Sequence, residues 1–348
     1  MDFAIALTPG PATWKTVKRA EELGFVEAWL YDSQLLCADV FVHMALAAAN
    51  TSKIRIGTGV LIPTNRIAPV AANAFASLNA IAPGRIDFGV GTGFTGRNTM
   101  GLPAQKLDDM ARYIREVQGL WRGEVIDFAV EGTTRKIQFL NPDAGMIDIA
   151  NPIGTHVSAF GPRGRKLTAE VADGWLTFMG PVEAAVGQAA ELDAACLASG
   201  RDPKSLARSV FTLGCVLGEG EAADGPRAMA QAGPAAAVNL HGAIERWDSL
   251  PEGAKLAFGT YRALYETFEP ADAKYIQLHR GHLVYVRPEE APFVTADLIR
   301  RSTFTASAGE LRDRLRALAS AGYTQFTVQL VHGHEDAIED WARLFEVV

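Results

Sequence analysis

Short apolar runs alternate along the chain with longer stretches of helical period. Residues 3–7 precede a helix with Trp14, Val17, Ala20 and Leu23 on one face, and residues 26–31 precede a helix whose predicted apolar face is Val42, Leu46 and Ala49. Residues 54–60, a helix over 70–81 stopped by Pro83-Gly84, and residues 85–90 continue the rhythm. Leu107, Met110, Ile114, Val117 and Trp121 then mark a strongly periodic helix. Repeated β/α units predict a parallel sheet with helices outside it, as an open doubly wound sheet or a closed barrel.

After Gly123 the rhythm breaks. Residues 125–128 and 136–139 bracket Glu131-Gly132-Thr133-Thr134, which predicts a small hairpin inserted over about 123–152. Strands at 156–160, 175–178, 209–217 and 324–331, with helices at 162–172, 181–199 and 308–321, bring the count to about eight, which favours a (β/α)8 TIM barrel over an open sheet. Trp175 is expected to pack in the barrel layers. The segment over about 218–305 is rich in Ala and Gly, then in aromatics and histidines, and shows no β/α rhythm. Connections that long form lids or binding loops rather than a second core. The expectation is therefore one barrel domain over 1–348 with two insertions at its C-terminal mouth.

With 348 residues and 48% hydrophobic content the chain can bury a large core. A net charge of −7 argues against nucleic acid or an anionic membrane as partner and favours a small-molecule substrate. Cys37, Cys196 and Cys215 lie far apart without a CxxC pair, so neither a disulfide framework nor a cysteine zinc site is expected, and a reducing cytoplasm is the simplest location. The N-terminus lacks a basic leader, and no apolar run reaches the length a bilayer requires, so no membrane span is expected.

The segment most suggestive of chemistry is Val157-Ser158-Ala159-Phe160-Gly161-Pro162-Arg163-Gly164-Arg165. A β-rich run ends in Gly-Pro-x-Gly and a helix starts at once, so free backbone N–H groups and a helix N-terminus converge beside two arginines, as a phosphate cradle requires. An ordinary strand-to-helix turn is the other reading.

Ile56-Gly57-Thr58-Gly59-Val60, Pro83-Gly84-Arg85-Ile86-Asp87-Phe88-Gly89-Val90-Gly91-Thr92-Gly93, and the run from Ala159 to Gly174 together resemble the bacterial luciferase-like superfamily, in an order and spacing that extend over nearly the whole chain. The resemblance implies a (β/α)8 barrel that uses FMN for monooxygenation or the deazaflavin coenzyme F420 for hydride transfer, without a dinucleotide-binding fingerprint after the first strand. It places the cofactor phosphate on Phe160, Gly161, Arg163 and Gly164, puts a cis peptide at Gly59-Val60 beside Thr58, and lines the ring with Thr92, Gly93 and Phe94. It also departs from the family: Trp29-Leu30-Tyr31-Asp32-Ser33-Gln34 carries Ser33 where many members have a histidine. Serine does not exchange protons near pH 7 as imidazole does. Asp32, Ser33 and Gln34 remain candidates for hydrogen bonds to cofactor or substrate.

An FMN-dependent monooxygenase supplied by a separate flavin reductase is the preferred reading, with an F420-dependent dehydrogenase or reductase as alternative. A non-catalytic barrel binding flavin or a phosphorylated metabolite is the reading of another class. The resemblance further implies a homo-oligomer. His279-Arg280-Gly281-His282, in the segment expected to overhang the mouth, would take over proton handling if Ser33 does not. No metal is expected, because no third ligand lies near these two histidines in sequence. His43 and His241 have no special standing, and Arg97-Asn98 is a candidate anion anchor.

Overall fold

Eight apolar segments form β1 (Asp2–Leu7), β2 (Glu27–Leu30), β3 (Arg55–Thr58), β4 (Ile86–Gly91), β5 (Gly154–Ser158), β6 (Gly174–Phe178), β7 (Ala207–Thr212) and β8 (Gln325–Leu330). They close in the order β1-β8-β7-β6-β5-β4-β3-β2. Every barrel pairing is parallel, for example Ala6 opposite Trp29 and Leu7 opposite Leu330. The computed structural model describes residues 1–178 and 180–345. The hairpin forms at Ile126–Val130 and Thr133–Ile137.

Strand alternation sends every second side chain inward, and β2 with its exit shows how the interior fills. Glu27 lies at the floor, Trp29 in the middle and Tyr31 at the mouth. At the floor, the Gln325 amide donates to Glu27 at 2.8 Å and Trp29 Nε1 donates to Gln325 at 3.2 Å. Arg55 clamps the buried Asp87 with two 2.7 Å hydrogen bonds, and His156 Nε2 lies 3.3 Å from the same carboxylate. Burial, reinforced by the Asp87 charge, pushes Glu27 well above the usual carboxylate range. Burial works the same way on Asp87, but His156 and Arg55 overcome it and hold Asp87 low. In the middle layer Trp29 is fully buried among Ala4, Ala6, Leu176 and Phe211.

Two of the sequence expectations change. The helix Val40–Asn50 buries Val40, His43, Met44 and Ala47, whereas Val42 is 57% and Leu46 40% exposed. Its sequence is apolar almost all round, so periodicity does not single out a face. Trp175 points away from the barrel interior, stacking against Tyr323 with its Nε1 donating to the Ala159 carbonyl at 3.0 Å.

The long segment is also different from expectation. Its feet are tied together: Val216–Leu217 pairs with Ala306–Ser307, and Phe304 N–H donates to the Leu213 carbonyl at 2.7 Å. Between them run helices Pro226–Glu245, Glu252–Glu266 and Ala296–Ser302, which share a hydrophobic cluster of their own around Leu240, Tyr261, Phe268 and Ile299. The insertion is a helical cap with a small core, and its Ala-rich first helix hides that core because alanine gives little hydrophobic contrast.

The close fit around Trp29 makes a direct test. A Cβ at Gly89 would lie 1.9 Å from the Thr58 carbonyl oxygen, an obstacle of backbone. Gly89→Ala is expected to lower stability by about 3 kcal/mol or more in urea unfolding, the upper end of overpacking costs. Gly259→Ala, in a cap helix where an added Cβ meets nothing within 4 Å, is expected to be neutral or to stabilise by up to about 1 kcal/mol. Equal midpoints for wild type and Gly89→Ala would contradict this account of the barrel interior.

Candidate functional site

The C-terminal ends of the strands surround a cavity, as on this fold generally. Tyr31 and Ser33 after β2, Gly59 and Val60 after β3, Thr92, Gly93 and Phe94 after β4, and Ser158 and Phe160 at the end of β5 line it, and His282 and Leu283 of the cap cover it. The Gly59-Val60 peptide is cis, as the family resemblance implies. Gly93 adopts φ +72°, and a Cβ there would come within 2.5 Å of Ile62, so only glycine lets the loop after β4 turn into its short helix. A wider second cavity continues outward beneath the cap past Phe178, Arg246, Tyr261 and Arg301, and shares His282 and Leu283 with the first.

A chain of hydrogen bonds ties the cap to the mouth. Tyr31 hydroxyl donates to Gln329 Oε1 at 2.7 Å, and Gln329 Nε2 donates to the Leu283 carbonyl at 3.2 Å. Burial raises the Tyr31 pKa, so its phenol stays neutral, with an oxygen lone pair left to accept from a bound molecule.

Several candidates from the sequence lie outside these cavities. Asp32 is buried behind the wall, accepting from Arg66 Nη1 at 2.8 Å and from the Ile62 N–H at 3.1 Å, so it anchors the loop after β3. Gln34 is held between Asn65 and the Gly96 carbonyl. Thr58 is fully buried with its hydroxyl donated to the Gly89 carbonyl at 2.7 Å, which leaves it nothing to offer a ligand. Arg97 is spent on the Pro103 carbonyl and Thr64, while Asn98 donates to Glu245 at 2.6 Å.

Gly161, Arg163 and Gly164 lie just beyond the cavity edge formed by Phe160. Gly161 is the N-cap of helix Pro162–Val171, and no side chain caps it. That leaves the first-turn N–H groups directed outward with the positive end of the helix dipole behind them. Arg163 is exposed and paired with Asp108 at 2.7 Å, whereas Arg165 is turned inward onto Glu191 at 2.6 Å and the Phe160 carbonyl. A Cβ at Gly164 would lie 2.6 Å from that of Ala159, while one at Gly161 would meet nothing within 4 Å. The start of this helix therefore presents backbone, with open space at Gly161.

His279 and His282 are both buried, and His282 alone of the two lines the cavities. The residue that sequence reasoning missed is His241, which comes from 41 residues before His282 to lie with its Nδ1 3.4 Å from that of His282. Only the apolar run around it in the cap helix could have signalled burial. His241 Nε2 lies 2.8 Å from Glu290, which also accepts from Tyr261 at 2.6 Å and twice from Arg287. Burial alone would raise Glu290, but His241 and Arg287 hold it down at about 2. Burial, then the two neighbouring rings, pushes His282 well below the ordinary histidine value. A ring held neutral in this way is poorly suited to the proton exchange expected of it from the sequence.

The family model for luciferase-like monooxygenases matches residues 9–325. The F420-dependent glucose-6-phosphate dehydrogenase of Beutenbergia cavernae is 36% identical over 144 residues, 39% of this chain and 41% of that protein. The 5,10-methylenetetrahydromethanopterin reductase of Methanolobus tindarius is 32% identical over 214 residues, 59% of this chain and 63% of that protein. The matches thus span less than two thirds of either relative. The coenzyme F420-dependent tetrahydromethanopterin reductase from Methanopyrus kandleri superposes with a TM-score of 0.69 at 21% identity over 98% of this chain and 97% of that one, which is a likeness of fold. No helix among the described residues is long and apolar enough to cross a membrane.

The open space at Gly161 sets the test of the cradle. Gly161→Val is expected to fold with a nearly unchanged melting temperature, because φ is −80° and an added Cβ meets nothing within 4 Å. Its branched side chain would project where a phosphate must approach, so affinity for a phosphate-bearing cofactor should fall ten-fold or more, about 1.4 kcal/mol. Unchanged affinity would remove the cradle from the site.

Proposed function

The chain belongs to the luciferase-like monooxygenase family, and on that footing we propose that it is an F420-dependent oxidoreductase that transfers hydride between the deazaflavin and a small organic substrate at the barrel mouth. What carries this reading is the mouth cavity, walled by the backbone of Gly59, Val60 and residues 91–93 and opening beside an uncapped helix N-terminus. Two relatives support the deazaflavin over FMN: the Beutenbergia cavernae protein is an F420-dependent dehydrogenase, and the Methanolobus tindarius protein is a reductase rather than an oxygenase. The FMN-dependent oxygenation preferred from the sequence, with its separate flavin reductase, therefore becomes the second reading, supported by the family's description.

When bound, a deazaflavin supplies a ring carbon that accepts or donates hydride. The residues of this chain bind and orient. The N–H groups of Gly161, Arg163 and Gly164 would hold the phosphate, and Val60, Phe94 and Phe160 would supply apolar contact to the ring. The Ser33 hydroxyl at the cavity wall and the Tyr31 phenol, held by Gln329, orient polar groups of cofactor or substrate. The substrate enters by the second cavity, where Tyr261 and Phe258 bring an apolar wall and the cap excludes water.

Anaerobic titration of the purified chain separates the two readings. F420 is expected to bind at least ten-fold more tightly than FMN, a difference of about 1.4 kcal/mol, and the bound F420 should be reduced by at least one member of a panel of alcohols and sugar phosphates. Tighter binding of FMN, with oxygen uptake and an oxygenated product when reduced FMN is supplied, would favour the second reading and overturn the first.

A further inference from the structure

The three cap histidines are arranged around a point rather than against one another. His241 Nδ1 and His279 Nδ1 lie 3.4 and 3.5 Å from His282 Nδ1, and the three ligand atoms all fall within 4.8 Å of one another. All three rings are buried. A tetrahedral ion with bonds of about 2.05 Å to nitrogen separates its ligand nitrogens by about 3.3 to 3.4 Å, close to the two short separations.

The far sides of two rings determine which nitrogens carry protons. Nε2 of His241 lies 2.8 Å from Glu290, and Nε2 of His279 lies 3.2 Å from Glu245. The Glu290 carboxylate takes the N–H of His241, so that ring is the Nε2–H tautomer and turns a bare Nδ1 lone pair toward the centre, while Nε2 of His279 faces the Glu245 carboxylate. The His282 Nδ1 carries at most one proton and can give it to only one of them. Without a cation at least one of the three buried Nδ1 atoms has no matched partner among the rings, a cost folded proteins avoid. One cation satisfies all three. A carboxylate behind a ligating histidine is also the usual outer shell of a metal site, and both carboxylates are themselves held, Glu290 by Tyr261 and Arg287 and Glu245 by Asn98.

We propose that His241, His279 and His282 bind one zinc-class divalent ion through their Nδ1 atoms, with Glu290 and Glu245 as outer-shell carboxylates, and that this ion clips the cap together over the barrel mouth. Three imidazoles and no oxygen donor select zinc, cobalt, nickel or copper over magnesium and calcium. His241 comes from helix Pro226–Glu245, while His279 and His282 follow the short helix Tyr275–Leu278, so the ion joins two parts of the cap that are distant in sequence. Because His282 lines both cavities, the clip lies where the cap meets the site, and it assigns these histidines as ligands in place of proton carriers. It does not depend on which cofactor the barrel mouth takes.

The test uses the untagged full-length chain, stripped with chelator and dialysed against zinc chloride. One zinc per chain by plasma mass spectrometry is expected, with a melting temperature that rises with zinc concentration, and a visible ligand-field spectrum of four-coordinate type when cobalt replaces zinc. His241→Ala should lose the stoichiometric ion. If that variant does not fold, Glu245→Gln, which keeps all three ligands, should bind zinc about ten- to a hundred-fold more weakly, the usual effect of an outer-shell change. A wild-type chain that takes up no zinc and shows no thermal shift, or variants that bind as tightly as wild type, would overturn the proposal.

Discussion

Enclosing one indole inside a ring of eight short strands is the constraint from which the rest of this structure follows. Trp29 is too large for the barrel unless its neighbours give up their side chains, and a Cβ at Gly57 would lie 2.4 Å from its ring. Where the ring ends, Ala4 and Ala6 supply small surfaces, and Leu176 and Phe211 close the layer. The floor beneath is polar, with Glu27 bonded to Gln325 and Asp87 clamped by Arg55. With the middle layer filled and the floor committed to its own ion pairs, the mouth is the end left open to chemistry. The glycines at 59, 91 and 93 there are required by close packing against Trp29, Val60 and Ile62.

The cap depends on the same closure. Its two feet leave the barrel after β7 and return before β8, and the pairing of Val216–Leu217 with Ala306–Ser307 holds them together. It meets the mouth at Gln329, which also holds Tyr31, and at Asn98, which donates to Glu245. The floor, the indole layer, the tyrosine and the cap therefore form one column along β2 and β8, and a change at the middle of the barrel is felt at the site. The His241, His279 and His282 cluster stiffens the upper part of that column.

Much of the barrel was legible from the chain because parallel strands buried on both faces read as compact apolar runs, and all eight formed close to where those runs lie. The helix over Leu107–Trp121 was clear for the opposite reason, since its apolar positions alternate with Asp, Arg and Glu. The face of Val40–Asn50 was not legible, because a helix of Val, Met, Leu and Ala offers no polar side to orient it. At the mouth, Gly93, Phe94 and Phe160, which the family resemblance singles out, line the cavity. Asp32 and Thr58 were not correctly placed, since a polar residue beside a cavity reads the same whether it faces the ligand or the wall behind it. His241 could not be found from spacing at all: its partners are brought to it by folding of the cap, and a lone histidine in an Ala-rich helix carries no local mark.

The central claim is that cofactor chemistry takes place at this mouth, with the phosphate on the helix that begins at Gly161 and the ring over Gly59 and Val60. A crystal structure of the chain soaked with F420 tests it most directly. The account predicts the deazaflavin ring in van der Waals contact with Val60 beneath His282 and Leu283, and its phosphate within about 3 Å of the N–H groups of residues 161–164. A cofactor bound elsewhere on the chain, or a phosphate directed away from that helix, would contradict it.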